Sequence, residues 1–280
     1  MRADWRLSGA FPALARWPLR SAWRMAGLVG REPREPSEAL LHWLEARFAL
    51  VFPASSALER RGWARAHVRM LAWEMLDAMA FGRLGTWKGP AVTLTGLEHV
   101  GRLLEQRRGF ILVLNHFDRL LTAPIALARR GITTHVLTMP VLDNADLSGP
   151  QRGFLLRKIA NYTAVTGGSW RSTDEGLRPV VEGLRAGQGW VILADAWRPE
   201  FGRLRAHRFL GGTLELPTGV ERIAASSGAA LLQAVTYSQG PCALQVQIEP
   251  LPPEPRQAVD AAIDRLERDV RAHPWAWWQW

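Results

Sequence analysis

Cysteine occurs once in the chain, at Cys242. A single thiol excludes an intramolecular disulfide and a cysteine-based zinc site, and reads as a small buried apolar residue in a reducing compartment. Lysine is confined to Lys88 and Lys158, and only two tyrosines stand against 14 tryptophans. No apolar window reaches the roughly 18 residues that a membrane-spanning helix needs. Residues 1–30 hold neither an uninterrupted apolar stretch nor a small-residue cleavage site, so a secretory signal is not expected. Charged residues make up 22% and hydrophobic residues 48% of the 280, a balance that argues against global disorder and for a real core.

What the chain does have is positive charge, +9 in all, carried almost wholly by arginine. Such a surface attracts anions: nucleic acid, anionic lipid head groups or an acidic protein. The tryptophans separate these options. Single-strand nucleic-acid binders interleave aromatics with basic residues along a groove. Here the tryptophans fall in amphipathic stretches and in a C-terminal cluster, as suits a membrane interface, so lipid is expected and nucleic acid is not. Near the N-terminus, Arg6, Arg16, Arg20 and Arg24 alternate with Leu7, Phe11, Leu14, Trp17 and Trp23. A basic amphipathic segment of this kind either lies on a membrane surface or packs on the domain.

The breaker-rich stretch EPREPS, residues 32–37, divides a leader (1–36) from one larger domain (37–280). Helices are expected over 37–48 and 57–83. After residue 91, short apolar runs at 91–94, 110–114, 134–138, 190–194, 230–236 and 244–248 alternate with helical stretches at 97–107, 118–130, 151–160, 174–186 and 217–227. That alternation predicts an α/β fold, a mixed and largely parallel sheet flanked by helices, with a helical N-terminal leader.

In open α/β sheets, sites form beyond the carboxyl ends of the strands. Two polar sets occupy such ends, Asn115-His116-Phe117-Asp118 and Asp195-Ala196-Trp197-Arg198. His116 suits a general base, because imidazole titrates near working pH. Asp118 orients it if residues 116–118 stay extended, since side chains two apart then share a face; otherwise Asp118 caps a helix starting at Arg119. Gly167 to Ser172 (GGSWRS) offers backbone N–H groups and Arg171 to a phosphate, without the lysine of a P-loop. Arg198, Arg203, Arg205, His207 and Arg208 cluster around an expected turn at Gly202, either as a solvated loop or as a surface for phosphate or an acidic carrier. Asp195 reads as a turn residue or as a partner for one of these arginines. The candidate catalytic pair is therefore His116 and Asp118. Asn115, Arg171, Asp195, Arg198, Arg203, Arg205 and Arg208 are the candidate substrate-binding residues.

Several short motifs occur in a telling order: EARFALVFP at 45–53, then LERR at 58–61, Arg65-Ala-His67, TGLEH at 95–99 and RGFILVLNH at 108–116. Further on come ILAD at 192–195, FLGGT at 209–213 with Pro217-Thr-Gly219, and HPWAWWQW at 273–280. Together they resemble the late acyltransferases of lipid A biosynthesis, the lauroyl and myristoyl transferases of the lysophospholipid acyltransferase superfamily. The resemblance runs from about residue 38 to the end. It implies transfer of a fatty acyl group from acyl carrier protein (or CoA) to a lipid or glycolipid, on the cytoplasmic face of the bacterial inner membrane, by a peripheral protein without metal or redox cofactor. It also implies that the histidine is oriented by an acid five residues on, in H-x-x-x-x-D/E, and that an apolar tunnel holds the acyl chain.

This chain departs from that pattern. The acid position is Leu121, Ala196 follows the strand-end aspartate where the family has glutamine, and the basic H-R-R that usually follows the tryptophan motif is missing. Two expectations result. One is an acyltransferase with His116 as base and Asp118 in place of the missing acid. The other is an impaired relative that binds an acyl chain without transferring it.

Overall fold

The computed structural model describes residues 5–17, 20–29, 36–140, 147–197 and 201–280, so Arg198 of the basic cluster lies outside the described residues. A π-helical turn, Arg6–Ala10, runs into α1 (Phe11–Arg16), followed by α2 (Ser21–Val29), α3 (Pro36–Val51) and α4 (Ala57–Ala80). α4 starts where it does because Ser56 and Glu59 cap each other's backbone N–H groups, at 2.7 and 3.2 Å. Strands and helices then alternate: β1 (Ala91–Thr95), α5 (Leu97–Glu105), β2 (Phe110–Leu114), α6 (Thr122–Ala128), β3 (Thr134–Thr138), α7 (Gly149–Thr166), β4 (Trp170–Ser172), α8 (Arg178–Arg185) and β5 (Gly189–Leu193). A hairpin of β6 (Leu204–Phe209) and β7 (Gly212–Pro217) precedes α9 (Gly219–Ser227), β8 (Ala230–Ser238), β9 (Ala243–Pro250) and α10 (Pro255–Ala272).

The main sheet is seven-stranded, in the order β1-β9-β8-β2-β5-β3-β4. Only β8 and β9 pair antiparallel; the other neighbours run parallel. The expected mixed α/β sheet is therefore present. β2 lies near its middle and every one of its residues is buried, because helices cover both faces. Its side chains alternate between two cores. Phe110, Leu112 and Leu114 pack with the leader, α4 and α6, whereas Ile111 and Val113 pack with α8, α9 and α10. The chain bends at Gly202 as expected, but the residues after it form a hairpin strand rather than a solvated loop. Residues 204–209 alternate outward and inward positions, which places His207 and Phe209 inside and leaves Arg208 outside. The run of arginines hides that period-two pattern in the sequence.

The leader does not stand apart. Leu7, Phe11, Trp23 and Ala26 are buried in the core with α4, while Trp5, Trp17, Met25 and Leu28 of the same segment remain exposed. Cys242, expected to be buried, is only half-buried, and its thiol donates to the Arg20 carbonyl at 3.3 Å. What ties the leader to the sheet is a buried ion pair. Arg119, fully buried after β2, donates to both carboxylate oxygens of Asp77 on α4. It also donates to the Pro241 carbonyl at 3.0 Å, and Asp77 accepts the Trp23 indole N–H at 2.7 Å. Three segments distant in sequence thus meet at one carboxylate, and a fourth is reached through Arg119. A second buried pair, Glu74 with Lys158 at 3.0 Å, links α4 to α7. Burial pushes the Glu74 carboxyl up to about 7, more than Lys158 draws it down.

Removing one partner of a buried pair strands the other charge. Asp77→Ala is therefore expected to lower unfolding free energy by about 3–5 kcal/mol in urea titrations, and a loss under about 1 kcal/mol would show that the pair holds nothing together. Glu74 sets a pH dependence of known sign. A carboxyl raised in the folded state from 4.5 to about 7 favours folding while protonated, and that contribution is lost as pH rises through this window. The wild type should lose about 1–3 kcal/mol relative to Glu74→Gln over that range, measured by denaturant unfolding at each pH. Parallel pH curves for the two proteins would contradict it.

Candidate active site

The register of two central strands assembles the site. β2 and β5 pair in parallel with Leu114 opposite Leu193, so the residues just beyond each strand end lie side by side. Two positions past that rung are His116 and Asp195. The Asp195 carboxylate accepts the His116 backbone N–H at 2.9 Å from each oxygen and the ring Nδ1–H at 3.0 Å from Oδ1. Its Oδ2 also accepts the Trp277 indole N–H at 3.1 Å. Asp195 is 2% exposed, so a buried carboxylate is satisfied by three N–H donors.

A carboxylate can only accept, so Nδ1 carries the imidazole proton and Nε2 keeps its lone pair. Gln279 Nε2 lies 3.1 Å from the same Nδ1, and its amide can share that proton only through its carbonyl oxygen. The His116 side chain is 20% exposed and lines an open-mouthed cavity of about 170 Å³. Leu137, Leu177, Ile192, Phe201 and Ile223 make its wall largely apolar. The arrangement is a base with a fixed tautomer at the edge of a greasy cleft. It can take a proton from a hydroxyl or amine brought beside the cavity.

Asp118 does neither of the things expected of it. It adopts a left-handed backbone, φ 46°, so residues 116–118 are not extended and the two side chains do not share a face. Its carboxylate accepts from Ser238, 2.6 Å from the backbone N–H and 2.8 Å from the hydroxyl, and it is 1% exposed. Burial raises it to about 6, against the opposing pull of the Ser238 hydrogen bonds. Nor does it cap a helix, because α6 begins only at Thr122 and follows Leu121. Leu121, where the resemblance implies an acid, is 3% exposed in the core.

The other candidates separate. Asn115 is buried and lines a small hollow with Thr236 and Asp269 rather than the large cavity. Three N–H groups at the start of the loop at 167–172 are already engaged and do not offer themselves to a phosphate. Gly167 donates to the Thr163 carbonyl, Gly168 to the Thr166 hydroxyl and Ser169 to the His135 ring. Arg171 on β4 pairs with Glu175 at 3.2 Å, although the neighbouring Thr173 lines the cavity. Arg205 is held by Glu221 and Asp260, and buried His207 pairs with Asp260 at 3.2 Å. Burial, then Arg205, lowers the His207 pKa. Arg203 and Arg208 are exposed on the hairpin, with the backbone of Arg203 bonded to Thr218, which follows the cavity residue Pro217. Trp277 and Gln279 are the residues that the sequence reading missed. The tryptophan-rich C-terminal motif was the signal, but nothing local says which indole meets which carboxylate. Among the described residues no group of three His, Cys, Asp or Glu side chains converges to hold a metal.

A search of curated proteins finds no match. The family model for bacterial lipid A biosynthesis acyltransferase matches residues 4–280. An acyl donor and a lipid acceptor are what that family handles in general, and a histidine beside an apolar cleft suits both. With its parallel α/β sheet, its histidine at a central strand end and a match along its length, the chain belongs to the bacterial lipid A biosynthesis acyltransferase family.

Proposed function

We propose that the protein moves a fatty acyl group from an acyl carrier protein or CoA thioester to a hydroxyl or amine of a lipid or glycolipid, with His116 as general base and Asp195 as its orienting acid. One observation carries the reading: His116 Nδ1 donates to buried Asp195 at 3.0 Å beside the apolar cavity. An alcohol is a weak nucleophile until a base takes its proton as it attacks. Nε2 takes that proton while the oxygen bonds to the thioester carbonyl carbon. The tetrahedral intermediate then expels the thiolate, which recovers the proton from the imidazolium. Asp195 stabilises the imidazolium while it lasts, the part that the carboxylate plays in a serine-protease triad. Asp195 thus takes over the work that the family assigns to the position now held by Leu121.

The cavity receives the acyl chain, whose burial against Leu137, Ile192 and Ile223 is favoured at about 25 cal/mol per Å² of apolar surface removed from water. Exposed Arg203 and Arg208, on the hairpin whose base reaches the cavity, favour an acidic carrier as donor. Trp5, Trp17, Met25 and Leu28 present an exposed apolar edge on the basic leader. No helix among the described residues is long and apolar enough to cross a membrane. The exposed edge on a basic leader supports a peripheral membrane contact, and with the family resemblance we propose the cytoplasmic face of the inner membrane.

Acyl transfer from a carrier-protein thioester to a lipid A precursor, followed by mass spectrometry of the product, tests the chemistry. His116→Ala should abolish turnover, and Asp195→Asn should lower kcat by about three to four orders of magnitude, as loss of the orienting acid does in serine proteases. Asp118→Asn should act mainly on stability. The opposite ranking of the two aspartates would sink the assignment, and lipid binding without transfer by the wild type would leave an acyl-chain binder instead. In the same assay Ile223→Trp should shift the product to shorter chains. For the membrane, Trp5→Ala/Trp17→Ala should reduce flotation with anionic vesicles several-fold; equal flotation would remove the leader from the contact.

A further inference from the structure

The loop that carries His116 lies between the end of β2 at Leu114 and the start of α6 at Thr122, so most of its backbone groups need partners from outside those elements. The His116 N–H goes to Asp195, and the C-terminus supplies partners for the His116 carbonyl and for both backbone groups of Asp118. α10 ends at Ala272, a 3-10 turn covers Pro274–Ala276, and the last residues run across the loop. The Ala276 carbonyl accepts from the Asp118 N–H at 2.7 Å, and the Trp278 N–H donates to the His116 carbonyl at 2.9 Å. The Trp278 indole donates to the Asp118 carbonyl at 2.9 Å, and Phe117 and Trp277 form an antiparallel bridge. At the far end Trp280 anchors the segment, edge-on to Phe48 at 4.8 Å and to Trp277 at 5.3 Å.

Within this strap Trp277 differs from its neighbours. Of the three N–H groups on Asp195, two belong to His116, the residue being oriented. The third, from Trp277, is the one that fixes the carboxylate independently of His116. Its ring is held between Phe209 at 5.0 Å and Trp280, so the donor itself has little freedom.

We propose that Trp277 is a positioning residue for the reaction: its indole N–H sets the plane of Asp195, which in turn sets the tautomer and orientation of His116. This rests on the His116–Asp195 reading above. It makes the C-terminal strap part of the active site, acting through Asp195 and touching no substrate. A hydrogen bond to a charged group is worth enough that its loss should slow catalysis about tenfold to a hundredfold.

The test is Trp277→Phe in the full chain, with a second variant carrying benzothienylalanine at position 277, where sulfur replaces the N–H within the same ring outline. Proton NMR of the 15N-histidine-labelled protein reads the His116 Nδ1–H directly, whether or not the protein turns over. The expected result is a low-field Nδ1–H resonance in the wild type that is lost in Asp195→Asn and weakened or shifted in both position-277 variants. kcat should fall while KM holds. A variant folded by near-UV circular dichroism that keeps both the resonance and kcat overturns the proposal. If Trp277→Phe fails to fold, the isosteric variant decides alone. A wild type that shows the resonance but transfers no acyl group defeats the acyltransferase reading and leaves the positioning claim to the NMR result.

Discussion

The parallel pairing of β2 with β5 is the constraint on which the site depends. A parallel ladder fixes which residues lie abreast, and here Leu114 and Leu193 are the last pair before both chains leave the sheet. Two steps beyond, a histidine and an aspartate come within hydrogen-bonding distance. A shift of one residue in that register would turn every side chain of β2 to the opposite core. Since both faces of β2 are packed tightly, the register is held by the whole core, and the geometry of the pair is held with it.

Around that pair the structure handles buried charge consistently. Asp77, Asp118 and Asp195 are each no more than 2% exposed, and each is satisfied by donors from distant segments. Asp77 meets Arg119 and Trp23, Asp118 meets Ser238, and Asp195 meets His116 and Trp277. Burying a carboxylate without such donors costs several kcal/mol or forces it to take a proton. The donors therefore act as ties that fasten the leader, the β8–β9 turn and the C-terminal strap to the loop after β2. The three carboxylates differ in what they face. Asp77 and Asp118 are enclosed by partners, whereas Asp195 backs onto a histidine that reaches an open cavity.

Much of the fold was legible. The apolar run at 110–114 forms a strand over those residues, because a strand buried on both faces must be apolar throughout, and residues 134–138 form one around their apolar Val136 and Leu137. The hairpin at 204–217 escaped notice because the outward positions of its first strand include Leu204 and Ala206 while its inward positions include Arg205 and His207, which inverts the usual alternation. The site was half legible. His116 stands where a strand-end base should, and Asp195 was among the candidates, but as a substrate-binding residue. Asp118 looked like the partner because it was close in sequence. Its positive φ turns it toward Ser238, and that turn depends on backbone bonds from residues 276 and 278. Arg205 looked available for binding because its acidic partners, Glu221 and Asp260, lie in other elements.

The order of apolar runs, caps and turn residues settled which segments are strands and which are helices, because those preferences act over a few residues. The same local information placed a histidine and an aspartate at strand ends. Which carboxylate orients His116 was a question of strand order, register and the path of the last eight residues. Those arise from packing between distant segments, such as His67 against Trp275, 208 positions apart. Spacing along the chain cannot report a contact made across it, and for this reason Asp195 and Trp277 surround the histidine while the nearer Asp118 turns away.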